Sequence, residues 1–177
     1  MWIVLDLETE GLDPNKCNIL EVAAIAVDPV TLEADPNHVF EMLVQNSING
    51  QIDPYVLNMH AENGLWRDLA AIPKHYDNSP RFVDTALSGW LRAFKKEGQT
   101  LHLAGNSVHF DFSFLRVHLP QSARLFSHRI VDVSSLREAG RAWGVPAPEG
   151  PTAHRAMADA RSSLDQLRYY RQYFKKS

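Results

Sequence analysis

Two acidic residues, Asp6 and Glu8, stand at the end of an apolar run that begins at Trp2. Residues two apart on a β-strand point to the same face, so the two carboxylates should lie side by side. Like charges held close together away from water repel each other unless a cation neutralises them. Hard oxygen ligands of this kind suit Mg²⁺ or Mn²⁺. The alternative is an ordinary exposed strand end with solvated acids.

A third acid, Asp111, lies in the segment GNSVHFDFSFL, where a turn of small residues leads into a predicted helix. Its position near the start of that helix allows two interpretations. It could join the first two acids at the end of the sheet. It could equally be an acid that the helix dipole favours near a helix N-terminus.

His154 and Asp159 belong to the segment HRAMADARSSLDQL. Five positions on one helix are separated by roughly 140°, so the two side chains cannot share a helical face. They can converge if His154 lies on the Pro/Gly-rich loop before the helix and Asp159 faces inward near the helix start. The alternative is a surface or structural histidine. Asp165 of the same helix is predicted to be a solvated acid.

Together, the four acids and the histidine predict a two-metal site for phosphoryl transfer. One cation would lower the pKa of a bound water, and the other would stabilise the leaving oxygen. His154 would act as the general base, because imidazole titrates near neutral pH. Such a site needs no serine or cysteine nucleophile, so Cys17 is predicted to be a loop or packing residue.

The elements that position these residues follow from the hydrophobic pattern. Apolar, β-branched runs predict strands, and the first two should be buried on both faces; the five runs are 2–7, 19–27, 38–44, 101–104 and 130–131. Helical spacing predicts a pair of short helices over 54–71, with a break near Asn63-Gly64. It also predicts four longer helices, at 80–98, 110–119, 134–143 and 154–174. Ser79 should cap the first of these four and Gly98 should end it, and Pro120 should stop the second. Residues 144–151 are predicted to be a loop. This order predicts a single α/β domain over residues 1–177.

The composition is that of a globular chain, with 177 residues, 45% hydrophobic and 22% charged. A single cysteine excludes an intramolecular disulfide and a Cys-rich zinc site. The opening MWIVLDLE has no basic segment typical of a signal peptide, and no apolar run approaches the roughly 20 residues of a membrane span. The expected location is the cytoplasm, away from a membrane.

The net charge of −3 argues against a protein that holds long nucleic acid mainly by counterion release. The charge is unevenly spread: residues 1–100 have 7 basic and 15 acidic residues, and residues 101–177 have 11 and 6. This asymmetry could simply reflect two solvated faces. Without the four candidate metal ligands the remaining chain carries +1, which suits a substrate bound at one terminal phosphate.

Three segments, DLETEGLDP, GNSVHFDFSFL and HRAMADA, resemble in this order the three motifs of the DEDD exonuclease superfamily. A histidine five positions before the last acid is typical of its DEDDh subgroup. The resemblance implies a ribonuclease-H-like fold, a mixed five-stranded sheet flanked by helices. It also implies 3′-to-5′ hydrolysis that releases nucleoside 5′-monophosphates. By motif position, the resemblance implies that His154 is the general base. It also implies that four acids are metal ligands: Asp6, Glu8, Asp111 and Asp159.

Further segments, among them ILEVAAI, HRIVDVSSLRE and LRYYRQYF, are similar to those of the oligoribonuclease family, over nearly the whole chain. This resemblance implies short RNAs, notably dinucleotides, as substrates, and a homodimer as the working form. Leu12 matches the residue that packs between two bases, and His60 matches a substrate-site histidine. The residues matching a cap that binds the substrate's 5′-phosphate are Ser107, Arg129, Ser134 and Ser135.

Two positions depart from that family. His128 stands where the family has a tyrosine contributed across the dimer, and a histidine donates to phosphate in a pH-dependent way. Tyr55 replaces a tryptophan and still offers a face for stacking. The serines that match the phosphate cap could instead serve only to cap a helix or a turn. Leu12 and Tyr55 could instead serve only in local packing.

Three functions follow as hypotheses. The first is a metal-dependent 3′-to-5′ exoribonuclease for short oligonucleotides, especially 5′-phosphorylated dinucleotides. The second is an exonuclease with the same catalytic residues that trims longer RNA or single-stranded DNA. The third is a non-catalytic nucleotide-binding module, against which the intact set of five motif residues argues. Aromatic residues crowd the predicted last helix and could serve the core or a dimer interface: Tyr169, Tyr170, Tyr173 and Phe174.

Overall fold

The computed structural model describes residues 1–46, 52–95, 99–148 and 153–174. Within these ranges the strands are β1 (Trp2–Thr9), β2 (Ile19–Val27), β3 (Ala34–Leu43), β4 (His102–Gly105) and β5 (Val131–Asp132). The helices are α1 (Pro54–Glu62), α2 (Leu65–Ala70), α3 (Pro80–Phe94), α4 (Val108–His118), α5 (Pro120–Ala123), α6 (Val133–Ala142) and α7 (Ala156–Phe174). None of the helices in the described part of the chain is long and apolar enough to cross a membrane.

The strands form a mixed five-stranded sheet in the order β3-β2-β1-β4-β5. Strand β1 pairs antiparallel with β2 and parallel with β4, so the strand that carries the first two acids lies at the centre. Every residue of β2 is buried, as expected for a continuous apolar run between two helical layers. The predicted mixed sheet flanked by helices is confirmed.

Alternation along β1 distributes its side chains between two cores. Ile3, Leu5 and Leu7 pack into the core on the α3–α4 side of the sheet. Val4 packs into the other core, together with residues of α7 such as Leu164. By the same alternation Asp6 and Glu8 lie on the face that α7 covers.

The third strand starts earlier than the predicted 38–44, because β3 begins at Ala34 and contains Pro36. A proline removes a backbone donor, which only an edge strand or a strand end tolerates. Strand β3 is an edge strand of this sheet, so the extension past Pro36 costs no ladder bond to a second neighbour.

The predicted stop at Pro120 is confirmed, since α4 ends at His118, but the short helix α5 that begins at Pro120 was not predicted. The buried carboxylate of Asp84, from α3, accepts hydrogen bonds from the backbone N–H groups of Gln121 (2.9 Å) and Ser122 (2.9 Å). These are orphan donors at a helix start, so a side chain distant in sequence caps α5.

The helical pair α1–α2 confirms the predicted break, since Asn63 and Gly64 separate the two helices and Gly64 has φ 81°. Ser79 caps α3 as predicted, with its hydroxyl accepting from the N–H of Phe82 at 3.3 Å. Helix α3 ends at Phe94, and Gly98 lies outside the described residues, as does part of the predicted loop 144–151.

Candidate active site

The side chains of Asp6, Glu8 and Asp159 meet beside the end of β1. Each offers a carboxylate oxygen, and these three oxygens all lie within 4.8 Å of one another. Asp159 reaches this point because it lies in the first turn of α7, which packs on the face of the sheet that holds the other two acids. The geometry therefore brings together three of the four acids predicted as metal ligands.

Asp111 approaches the same strand end from the opposite helical layer. It lies in the first turn of α4, and its Oδ1 accepts a hydrogen bond of 3.0 Å from the backbone N–H of Leu7, between Asp6 and Glu8. Its side chain is buried, and its charge acts directly on that of Asp6. The fourth acid is thus anchored beside the cluster by one oxygen, and its second oxygen is free of that bond.

Burial controls the protonation of these acids. Removal from water, together with the nearby Asp159 and Glu21 carboxylates, raises the pKa of Glu8 to about 8. Burial likewise raises the pKa of Asp111 to about 8, although its bond from Leu7 N–H opposes the shift. The pKa of Asp6 is raised well above its ordinary value by burial and by four neighbouring acids. Divalent cations would relieve this repulsion, and all the ligand atoms are the hard oxygens that Mg²⁺ or Mn²⁺ prefers.

His154 lies in the turn that immediately precedes α7, as its predicted convergence with Asp159 requires. Its backbone is left-handed, with φ 50°, and its carbonyl oxygen accepts a hydrogen bond from the Asn63 side chain. One residue earlier, the N–H of Ala153 donates to Asp159 Oδ1 at 3.0 Å. The turn with His154 is therefore tied directly to one acid of the cluster.

Sequence comparisons agree with this geometry. A family model described as "Exonuclease" matches residues 3–167. The chain is 31% identical, over an alignment of 180 positions, to the oligoribonuclease of Xanthomonas campestris pv. campestris strain 8004, covering 98% of this chain and 87% of that protein. It is 32% identical to the oligoribonuclease of Actinobacillus pleuropneumoniae serotype 5b, covering 98% and 92%.

The chain belongs to the oligoribonuclease family of exonucleases. It is accordingly a nuclease, and dependence on divalent metal ions is general in this family. A solved relative in fold is the zinc-bound E. coli ExoI–ssDNA complex, with a TM-score of 0.73, 14% identity, and coverage of 97% of this chain and 40% of that chain. At that identity the likeness shows the fold alone, and it confirms the predicted ribonuclease-H-like fold.

The serines that match the family's phosphate cap lie together. Ser107 Oγ and Ser134 Oγ are 3.0 Å apart, although the two residues come from the starts of α4 and α6. Ser107 adopts a left-handed backbone with φ 48°. The carboxylate of Asp132 accepts from the backbone N–H groups of both serines, at 3.1 and 2.9 Å, and its other oxygen contacts His109 at 3.1 Å. The backbone N–H groups of both serines are thus already occupied by Asp132.

The other predicted cap residues of the oligoribonuclease family are exposed: His128, Arg129 and Ser135. The Arg129 guanidinium has no carboxylate partner among the described residues, which leaves it available to an anion. His128 borders a cavity of about 360 Å³ that is also lined by Arg116 and Arg124. Arg129 directly follows His128, so its exposed guanidinium extends the basic surface that borders this cavity.

Leu12 and Tyr55 are both strongly exposed, at 83% and 70%. Exposure of this degree is inconsistent with the alternative that they serve local packing, since neither is covered by other described residues. Leu12 borders the largest of the described cavities, which has a volume of about 720 Å³. Asp53 borders the same cavity. Asp53 also caps α1, because its side chain accepts a hydrogen bond from the N–H of Tyr55. Leu12 is thus presented at a cavity next to the end of β1, and the exposed Tyr55 follows two residues after Asp53, which borders the same cavity.

His60 differs from the other predicted substrate residues because it is completely buried. Its Nε2 lies 3.8 Å from Glu8 Oε2 and 3.4 Å from the carbonyl oxygen of Thr9. Burial lowers the pKa of this imidazole, which favours its neutral form. In this structure His60 contacts Glu8 from the interior of the protein and is not open to a substrate.

Sequence reasoning missed three residues that support the site: Glu21, Asn63 and Arg155. Glu21 stands opposite Glu8 in the β1–β2 register and forms two hydrogen bonds with the Arg155 guanidinium, at 2.9 and 3.2 Å. A signal was available, because Glu21 is the only charged residue in the otherwise apolar strand ILEVAAIAV. A lone acid inside a buried strand requires a partner.

Proposed function

We propose that this nuclease hydrolyses short oligoribonucleotides from the 3′ end and releases nucleoside 5′-monophosphates, with 5′-phosphorylated dinucleotides as preferred substrates. The observation that carries the proposal is the cluster of three carboxylates at the end of β1, with Asp111 and the His154 turn beside it. The close relatives bear the name oligoribonuclease, which supports a short RNA substrate.

The proposed metal ligands are Asp6, Glu8, Asp111 and Asp159, which would hold two divalent cations, Mg²⁺ or Mn²⁺. When bound, such ions make water more acidic and stabilise negative charge on phosphate oxygens. The buried carboxylates contribute by fixing where that positive charge lies. Asp159 also fixes the adjacent turn through its bond to Ala153 N–H.

His154 is the proposed general base. It takes the proton from the attacking water while the water oxygen forms a bond to phosphorus. The bond between phosphorus and the 3′ oxygen of the upstream nucleotide breaks, so the phosphate leaves on the 5′ carbon of the released nucleotide. The backbone of the turn that carries His154 is attached to Asp159 and Asn63, which supports a fixed position for this base close to the acids.

Substrate length would be read at both ends of the site. Leu12 and Tyr55 are proposed to pack against the bases, because both side chains are exposed and Leu12 borders the cavity of about 720 Å³. The 5′-phosphate would contact Arg129 and the hydroxyls of Ser107 and Ser134. Ser135 and His128 are proposed to support that binding, whereas the buried His60 is proposed to act on the substrate site only through its contact with Glu8.

A second candidate, trimming of longer RNA or single-stranded DNA, is favoured by one observation at the cap. The carboxylate of Asp132 already occupies the N–H groups of Ser107 and Ser134, which weakens a closed phosphate site there. Arg116 and Arg124 lie exposed beside His128 and could bind phosphates further along a strand.

The deciding experiment is a product-resolved assay on labelled RNAs from two to about ten nucleotides, each with a 5′-phosphate or a 5′-hydroxyl, in Mn²⁺ and in Mg²⁺. Preference for 5′-phosphorylated dimers supports the first candidate, and equal rates on long RNA and DNA support the second. The double variant Ser107→Ala with Ser134→Ala should lose the preference for the phosphate. Ser113→Ala is the matched control, because that hydroxyl bonds only within α4.

The catalytic assignment has its own test. Asp111→Ala should abolish hydrolysis in both metals, and unchanged turnover would instead favour a nucleotide-binding module. We also propose that the protein is cytoplasmic and works as a homodimer. The exposed Trp143, Tyr173 and Phe174 offer an apolar surface for a second copy, whereas Tyr170 is in the core. Sedimentation at micromolar concentration showing only a 20 kDa species would refute the dimer.

A further inference from the structure

Asn63, at the junction between α1 and α2, contacts both sides of the candidate site. Its Oδ1 accepts from the N–H of Leu65 at 3.0 Å, which fixes the direction in which its amide faces. The Nδ2 group therefore points the other way, where it donates to the carbonyl oxygen of His154 and lies 3.3 Å from His60 Nδ1. One amide thus joins the helical pair to the turn that precedes α7.

The turn at His154 requires such external support. A left-handed backbone is uncommon for a residue other than glycine, and it persists where surrounding contacts hold it in place. The carbonyl of His154 is the atom that Asn63 holds. Because Asn63 donates to the backbone, its bond leaves the imidazole of His154 free for chemistry.

A second attachment lies one residue further along. Arg155 Nη1 donates to Asp68 Oδ2 of α2 at 2.9 Å, while the other two guanidinium nitrogens donate to the buried carboxylate of Glu21. Glu21 also accepts from the N–H of Ala156, at the start of α7. The α1–α2 pair therefore contacts His154 and Arg155, two consecutive residues of the turn, and the second contact continues into the central sheet.

The same amide orients the buried His60. An Nδ2 group is only a donor, so His60 Nδ1 accepts and its proton is carried on Nε2. That N–H faces the carbonyl of Thr9 and the carboxylate of Glu8. Asn63 consequently has one bond toward the turn with His154 and another toward the histidine that contacts Glu8.

We propose that Asn63 is a positioning residue that holds the His154 turn against the acid cluster, with the Asp68–Arg155 ion pair as its second support. Asn63 does not touch the substrate and acts through the residues that it orients. This inference rests on the proposed role of His154 in hydrolysis.

Asn63→Asp tests the proposal, because aspartate keeps the acceptor for Leu65 N–H and loses the donor to His154. We expect kcat on a 5′-phosphorylated dinucleotide to fall about 10-fold to 100-fold, with KM changed less than about twofold. In metal-free protein, the amides of residues 153–156 should exchange with deuterium about fivefold to tenfold faster. Asn63→Ala should show the same two effects, and Asn63→Asp decides the matter if the alanine variant does not fold.

Ser79→Ala is the matched control, since it removes a helix cap of similar type from α3, away from the site. It should leave kcat and the exchange of residues 153–156 unchanged. The proposal is overturned if Asn63→Asp keeps kcat within about twofold of the unmodified protein, or if kcat falls without faster exchange. If the unmodified protein hydrolyses no oligonucleotide, the proposed function fails, and the exchange result alone decides whether Asn63 holds the turn.

Discussion

Raising the pH from about 6.5 to about 8 should destabilise the metal-free protein, which is the opposite of the usual behaviour of paired carboxylates. In the folded protein Glu8 and Asp111 keep their protons up to a pKa of about 8, against 4.5 and 3.8 for free side chains. The folded state therefore binds more protons than the unfolded state across this interval. Its free energy of unfolding must fall as the pH rises.

The magnitude follows from proton linkage. A carboxylate with a folded pKa near 8 loses about 1.5 kcal/mol of stabilisation over this interval, so Glu8 and Asp111 together account for about 3 kcal/mol. The buried His60, whose pKa is lowered, has the opposite sign, but it acts below its ordinary pKa of 6.5. Starting at about pH 6.5 leaves only about 0.4 kcal/mol of that opposite contribution in the measurement.

The assay is urea unfolding followed by tryptophan fluorescence after removal of metal with EDTA. Addition of Mn²⁺ at about pH 8 should restore stability, because the cation binds the folded carboxylates. Glu8→Gln should remove about 1.5 kcal/mol of the pH dependence and should be at least as stable as the unmodified protein at about pH 8. Glu41→Gln, at an exposed position on β3, should leave the pH dependence unchanged.

A metal-free stability that stays constant or rises between these pH values would refute the reasoning. It would mean that the acids are already ionised in the folded state. The same conclusion would follow if Glu8→Gln destabilised the metal-free protein at about pH 8.

Three further substitutions separate binding from stability. Asp84→Ala should lower the free energy of unfolding by about 2–3 kcal/mol, because buried donors at the start of α5 lose their acceptor, and urea titration measures this. Leu12→Ala should raise KM for dinucleotides several-fold in steady-state kinetics while stability changes by less than about 0.5 kcal/mol, since the side chain is exposed. Gly105→Ala should reduce the melting temperature by several degrees, because the added Cβ would lie 2.6 Å from the carbonyl oxygen of Leu5.

Local patterns were sufficient for most of the fold. The apolar run of β2, the cap at Ser79 and the break at Asn63-Gly64 each depend on residues adjacent in sequence, and each was predicted correctly. Helix α5 was missed because its cap, Asp84, comes from another helix. No local pattern after Pro120 contains that information.

The site divides in the same way. Period-two geometry was enough to place Asp6 and Glu8 on one face, and the meeting with Asp159 followed from the motif order. The Asn63 bond to the His154 turn could not be foreseen, because it depends on how α1–α2 packs against the start of α7. The occupation of the cap by Asp132 was equally a product of the assembled structure.

The central position of β1 has a consequence for when the nuclease becomes active during folding. The bond from Leu7 to Asp111 spans 104 residues, and the bond from Arg155 to Glu21 spans 134. Contacts between such distant segments form late, because closing long loops precedes any gain from the contact. A nascent chain exposes Asp6 and Glu8 first, yet it lacks their partners until α4 and α7 have packed. On the proposed assignment of the acids, hydrolysis therefore requires the completed fold, because a partly folded chain lacks two of the four proposed metal ligands.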